Sequence, residues 1–127
     1  MTTETFEHPI IYLEDEILIA LDMQAQLEDL GLADVRHFGE LEEAFEALDQ
    51  TEFQAAILDF NLKAGATSHA FGRTLKDRDI PVLYLTGLAA SDLPEDIDRE
   101  AVLAKPAQAT QIIAALKEMG VFEQHPN

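Results

Sequence analysis

A three-layer α/β fold, with one parallel sheet covered by helices on both faces, is predicted by three features of the sequence. Four-residue apolar runs recur at residues 10–13, 55–58, 82–85 and 101–104, a length that suits strands buried on both faces. Between them lie stretches whose apolar residues repeat every three or four positions, the spacing of a helix that buries one face. At 127 residues and 47% apolar, with nothing repeated or low in complexity, the chain reads as one domain with a single core.

The elements follow in order. Residues 1–8 are polar and read as a tail ahead of Pro9, and the first strand, Ile10-Ile11-Tyr12-Leu13, stops at Glu14-Asp15-Glu16. A helix then carries Ile17, Ala20, Met23, Leu27 and Leu30 on one face, with Gly31 as a left-handed cap. A weaker strand covers Asp34 to Phe38, and a second helix shows Leu41, Ala44, Phe45 and Leu48. The run Gln54-Ala55-Ala56-Ile57-Leu58-Asp59 reads as the central strand, and it ends on a carboxylate with Asn61 two residues on. Residues 63–68 form a loop into a helix carrying Phe71 and Leu75, followed by the strand Val82-Leu83-Tyr84-Leu85 and the turn Thr86-Gly87. Pro94 breaks any long helix between Leu88 and Arg99, so that segment is expected to hold one short or irregular helix. A fifth strand, Ala101 to Ala104, leads to Lys105-Pro106, and a last helix carries Ile112, Ile113 and Leu116. The domain is thus expected to span 9–119, with a loose tail over 120–127.

Five strands alternating with five helices, joined by right-handed crossovers, give a (βα)5 sandwich. For so short a chain the flavodoxin-like strand order 2-1-3-4-5 is favoured, with a ligand crevice between the first and third strands. That order carries Glu14, Asp15 and Asp59 into the crevice, with Thr86 and Lys105 arriving from neighbouring strand ends.

Composition narrows the chemistry. There is no cysteine, so no disulfide, thiolate nucleophile or cysteine metal site exists, which suits the cytoplasm. No apolar run approaches the ~20 residues that cross a bilayer, and the first eight residues lack the basic start and apolar core of a signal peptide. A net charge of −17, from 25 acidic and 8 basic residues, disfavours nucleic acid as a partner. It does permit a cation site where carboxylates converge.

Three neighbouring carboxylates repel one another, and a hard divalent cation relieves that repulsion. Mg²⁺ uses one or two carboxylates, several waters and a phosphate oxygen, and Glu14, Asp15 and Asp59 supply the carboxylates. Lys105 adds a mobile positive charge and Thr86 a hydroxyl donor, both suited to a phosphoryl group. A carboxylate such as Asp59 is itself a known covalent acceptor of phosphoryl groups. Taken singly, each residue also has an ordinary reading: an acidic first helical turn, a hydroxyl capping a turn, a surface lysine. Their convergence is what selects the chemical reading.

The segments Leu13-Glu14-Asp15, Leu58-Asp59-Phe60-Asn61-Leu62, Leu85-Thr86-Gly87 and Ala104-Lys105-Pro106, in this order and at these strand ends, resemble a receiver domain of two-component response regulators. The resemblance covers residues 9–119, and the chain is expected to be of the stand-alone, single-domain type, without an output domain. It implies a signalling protein, not an enzyme, that takes a phosphoryl group on Asp59 from a histidine kinase or histidine phosphotransfer protein and then changes its surface for a downstream protein. It further implies that Asp15 binds Mg²⁺ directly, Glu14 through a metal-bound water, and Asn61 through its backbone carbonyl. Thr86 would follow the phosphoryl oxygens, Lys105 would pair with the acceptor, and Lys105-Pro106 would be cis.

The sequence also departs from that family. Val102 occupies the position, three before the lysine, where most relatives carry Tyr or Phe, and Lys63 stands where relatives often have proline. Activation is therefore expected to reorder residues 87–99 rather than flip an aromatic ring. Two other functions compete. A haloacid-dehalogenase-like phosphatase also uses a nucleophilic aspartate, Mg²⁺ and a lysine, but it needs a second aspartate where this chain has Asn61. A flavin module on the same fold needs a phosphate-binding loop after the first strand, where Glu14-Asp15-Glu16 would repel the phosphate. His8, His37, His69 and His125 show no ligand spacing, and Arg73, Lys76 and Arg78 read as surface charges.

Overall fold

The computed structural model describes residues 9–122; the expected tail over 1–8 and residues 123–127 lie outside them. Five strands form one parallel sheet, β1 (Ile10–Leu13), β2 (Val35–Phe38), β3 (Ala55–Asp59), β4 (Val82–Thr86) and β5 (Val102–Ala104), in the order β2-β1-β3-β4-β5. The helices are α1 (Ile17–Asp29), α2 (Leu41–Leu48), α3 (His69–Asp77) and α4 (Ala109–Glu118). Order and connectivity are those the sequence predicts.

Side chains alternate across each strand, so the apolar runs split between two cores. Ile10, Tyr12, Ala55, Ile57, Leu83 and Leu85 pack with Ala20 and Leu27 of α1 and with Ile112 and Leu116 of α4. Ile11, Leu13, Ala56, Leu58, Val82 and Tyr84 pack on the other face with Ala44, Leu48, Phe71 and Leu75 of α2 and α3. Tyr84 lies so close over α3 that a Cβ at Gly72 would overlap its hydroxyl; only glycine fits there.

The structure corrects the sequence reading in four places. Among the described residues there are four α-helices, not five: the chain between β4 and β5 holds only two 3₁₀ turns, Ala90–Asp92 and Arg99–Ala101. Ile17 and Leu30 were expected in the core but are 56% and 48% exposed. The reason is length: a 13-residue helix spans about 20 Å and a four-residue strand about 13 Å, so both ends of α1 overhang the sheet. Leu18, Ile19 and Leu21 of the same helix also face outward. Phe45 covers Phe71 edge-on, with ring centroids 4.8 Å apart, but remains exposed. Finally, Gly120 (φ 83°) closes α4 and returns Val121 and Phe122 onto the first core, so packing continues past the expected boundary at 119. Gly31 (φ 112°) caps α1 as expected, and Lys105-Pro106 is cis.

Candidate functional site

Parallel register builds the site. Leu13 pairs with Leu58, so Glu14 and Asp15 leave β1 beside Asp59 at the end of β3. Asp59 pairs with Leu85 and Thr86 with Ala104, which brings Thr86 and then Lys105 to the same edge. One oxygen each from Glu14, Asp15 and Asp59 lie within 4.8 Å of one another. The Lys105 Nζ donates to Asp59 Oδ1 at 2.8 Å, across 46 positions of sequence. The residues expected to meet do meet.

Their environments differ. Glu14 and Asp59 are only 1% and 3% exposed, Asp15 is half-buried, and Lys105 reaches in from the surface. Burial raises the pKa of Asp59 above the ordinary carboxylate value, while the Lys105 hydrogen bond and charge pull it back and Asp15 pushes it up. Burial likewise raises Glu14; the Glu16 amide opposes the rise, and the charge of Asp59 adds to it. Three carboxyls face one ammonium, so the pocket has a deficit of positive charge.

Hydrogen bonds hold the donors in place. The Glu16 amide donates to Glu14 Oε2 at 3.0 Å and the Lys63 amide to Asp15 Oδ2 at 2.7 Å. The fully buried Ser68 hydroxyl donates to the Asp59 carbonyl at 2.8 Å, and His37 Nε2 lies 2.7 Å from the Glu14 carbonyl. Thr86 is buried and doubly bonded: its hydroxyl donates to Asn61 Oδ1 at 3.3 Å and accepts the Leu88 amide at 3.0 Å. The ordinary turn-capping role of Thr86 is thus present beside its place in the crevice.

Sequence reasoning missed His37, Ser68 and the Lys63 amide. The position of His37 at the end of β2 was a usable signal. Nothing in the sequence marks a backbone amide. It also left His69 without a role, yet His69 Nε2 lies 2.8 Å from Asp96 Oδ1, with Arg73 Nε 3.8 Å from Oδ2. That pair ties residues 87–99 to α3. Arg78, read as a surface charge, donates to the Leu48 carbonyl at 3.2 Å. Beside Thr86, a cavity of about 550 Å³ lies against Leu88, Leu93, Pro94, Ile97 and the small side chain of Val102.

A sheet of order 2-1-3-4-5 that gathers an acidic pair, a strand-end aspartate, a threonine and a lysine at its carboxyl edge defines a receiver domain, and the chain belongs to the response regulator receiver family of two-component signalling. It is 31% identical to SdrG from Pseudomonas melonis Fr1, whose BeF3-activated solution structure matches with a TM-score of 0.73 over 87% of this chain and 94% of that one. SdrG from Sphingomonas melonis Fr1 matches at 29% identity and TM-score 0.71, over 91% of this chain and 95% of that one. The phyllosphere-induced regulator PhyR of Methylorubrum extorquens is 30% identical over 118 residues, 91% of this chain; the chain spans 44% of that regulator's length. No protein-family profile matches the chain. No helix among the described residues is long and apolar enough to cross a membrane.

Proposed function

We propose that the chain is a phospho-accepting receiver that takes a phosphoryl group on Asp59 from a histidine kinase or histidine phosphotransfer protein, in a Mg²⁺-dependent reaction, and then changes its surface for a downstream protein. The observation that carries this reading is the 2.8 Å Lys105–Asp59 contact set against the converging carboxyls of Glu14, Asp15 and Asp59.

The donor set fits a hard cation: all three groups are oxygen donors, and burial makes the charge on two of them costly without a counter-ion. Asp15 and Asp59 would hold it, with Glu14 acting through water and Asn61 through its carbonyl. When bound, Mg²⁺ neutralises the carboxylates and the phosphoryl oxygens. The remaining chemistry belongs to the chain. An Asp59 oxygen forms the new P–O bond as the donor's P–N bond breaks, and the bonding pair returns to the imidazole nitrogen. Lys105 keeps the acceptor oriented and balances charge that develops on the group in transfer. On this reading the pocket catalyses its own phosphorylation and dephosphorylation, as a signalling domain does.

Readout follows from Thr86. Its hydroxyl holds the Leu88 amide in this structure, so turning toward a phosphoryl oxygen releases the start of the 87–99 segment. The adjacent cavity gives that segment room to repack. Mass spectrometry after treatment with acetyl phosphate and Mg²⁺ tests the assignment. One phosphoryl group is expected on wild type and none on Asp59→Asn; a modification that survives the substitution places the acceptor elsewhere.

A further inference from the structure

The β3–α3 loop carries a feature that the phosphoryl chemistry does not use. Asn61 and Thr67 form an antiparallel bridge, the Leu62 amide donates to the Ala66 carbonyl at 2.8 Å, and the Ala66 amide donates to the Lys63 carbonyl at 3.3 Å. Between them Ala64 (φ 61°, ψ 29°) and Gly65 (φ 76°) both occupy the left-handed region. An alanine rarely adopts that conformation and keeps it only where its surroundings over-determine it. The result is a tight, closed loop whose leading amide, that of Lys63, points at Asp15 Oδ2 from 2.7 Å. The bond crosses 48 positions of sequence and is charge-assisted. It ties down one oxygen of Asp15, and the side chain still offers an oxygen to the cluster with Glu14 and Asp59.

We infer that the Lys63 backbone amide is a positioning group for Asp15, and that it, not the Lys63 ammonium, sets the affinity of the acidic pocket for a divalent cation. The inference rests on the reading of that pocket as a cation site. Groups that hold a ligand from behind in this way govern both the orientation of its lone pairs and its basicity.

The backbone supplies a clean test, because proline at 63 deletes this donor and little else. Leu62 is extended (φ −113°, ψ 172°), as a residue before proline must be, and Lys63 opens a 3₁₀ turn, a position that tolerates proline. Alanine at 63 keeps the amide and removes the charge. Isothermal titration with MgCl₂ is expected to give equal affinities for wild type and Lys63→Ala, and an affinity about tenfold weaker for Lys63→Pro. Asp15→Asn serves as the reference for loss of the ligand. Lys63→Pro titrating like wild type overturns the inference, and so does Lys63→Ala weakening as far as Lys63→Pro. If wild type and Asp15→Asn alike take up no Mg²⁺, the cation reading itself fails and this inference falls with it. A metal-free readout covers poor folding of the proline variant. The Lys63 amide proton is expected far downfield in wild type and shifted upfield in Asp15→Asn; an unmoved resonance overturns the assignment.

Discussion

The two sides of the crevice are built differently. On one side, Glu14, Asp15 and Asp59 leave the ends of central strands, and every neighbour of those strands is a paired strand or a packed helix. On the other side, the chain from Gly87 to Arg99 has no α-helix, exposes most of its residues, and is fastened by the Leu88 bond to Thr86, the Asp96 contacts with His69 and Arg73, and the partly buried Leu93 and Ile97 on the second core. A buried strand end cannot move without breaking both the sheet and the core, whereas a segment with little buried surface opens at low cost. The difference teaches a division of labour for the proposed function: the rigid side would do the chemistry, and the loosely held side would report it.

Four substitutions test that division, from the largest effect to the smallest. Asp59→Asn removes the proposed acceptor, and phosphoryl incorporation is expected to vanish while the fold, read by circular dichroism, persists. Lys105→Ala removes the pocket's one ammonium and is expected to slow phosphorylation about a hundredfold, measured as the rate of incorporation from acetyl phosphate. Both act on the rigid side and should leave amide exchange across 87–99 unchanged before phosphorylation.

Thr86→Ala cuts the tie between the two sides. Loss of its two hydrogen bonds is expected to lower stability by about 1–2 kcal/mol in denaturant titration. Asp59 should still be modified, but backbone NMR with a phosphoryl mimic should no longer shift residues 87–99. A response of that segment equal to wild type would break the proposed link, as would a wild-type protein that shows no change there.

Asp96→Asn should have the smallest effect, loosening the segment without a measurable change in Tm. Hydrogen exchange at residues 95–98 is the measurement. The same bond carries a pH dependence. The His69 hydrogen bond holds the Asp96 carboxyl below its usual value, and the native state therefore binds this proton less readily than the unfolded chain does. The contribution of the pair is present above the ordinary carboxylate range and disappears as pH falls through the lowered value. Protection from exchange at 95–98, corrected for the intrinsic slowing of exchange in acid, should fall on acidification in wild type and not in Asp96→Asn.

Much of this was legible in the sequence because it depends on near neighbours. An apolar run of four and an apolar face of spacing three or four are local signals: the runs located four of the five strands, the weaker β2 having none, and the faces located the four α-helices of the described residues. Acidic residues directly after two such runs, and a lysine after a third, were enough to nominate the site. The misreadings share a cause. Ile17 and Leu30 lie on the apolar stripe of α1, and only the short length of the strands beneath leaves them exposed. The 87–99 segment contains apolar residues and a proline, and only its thin packing shows that no α-helix forms there.

The sequence alone determined the element order, the acidic crevice and the residues that enter it, since periodicity and composition act over a few residues at a time. Tertiary structure decided which atoms meet. The Lys105–Asp59 bond, the Lys63 amide on Asp15, Ser68 on the Asp59 carbonyl and His69 on Asp96 join residues between 9 and 48 positions apart. Such partners are chosen by strand register and loop closure, which no local pattern encodes.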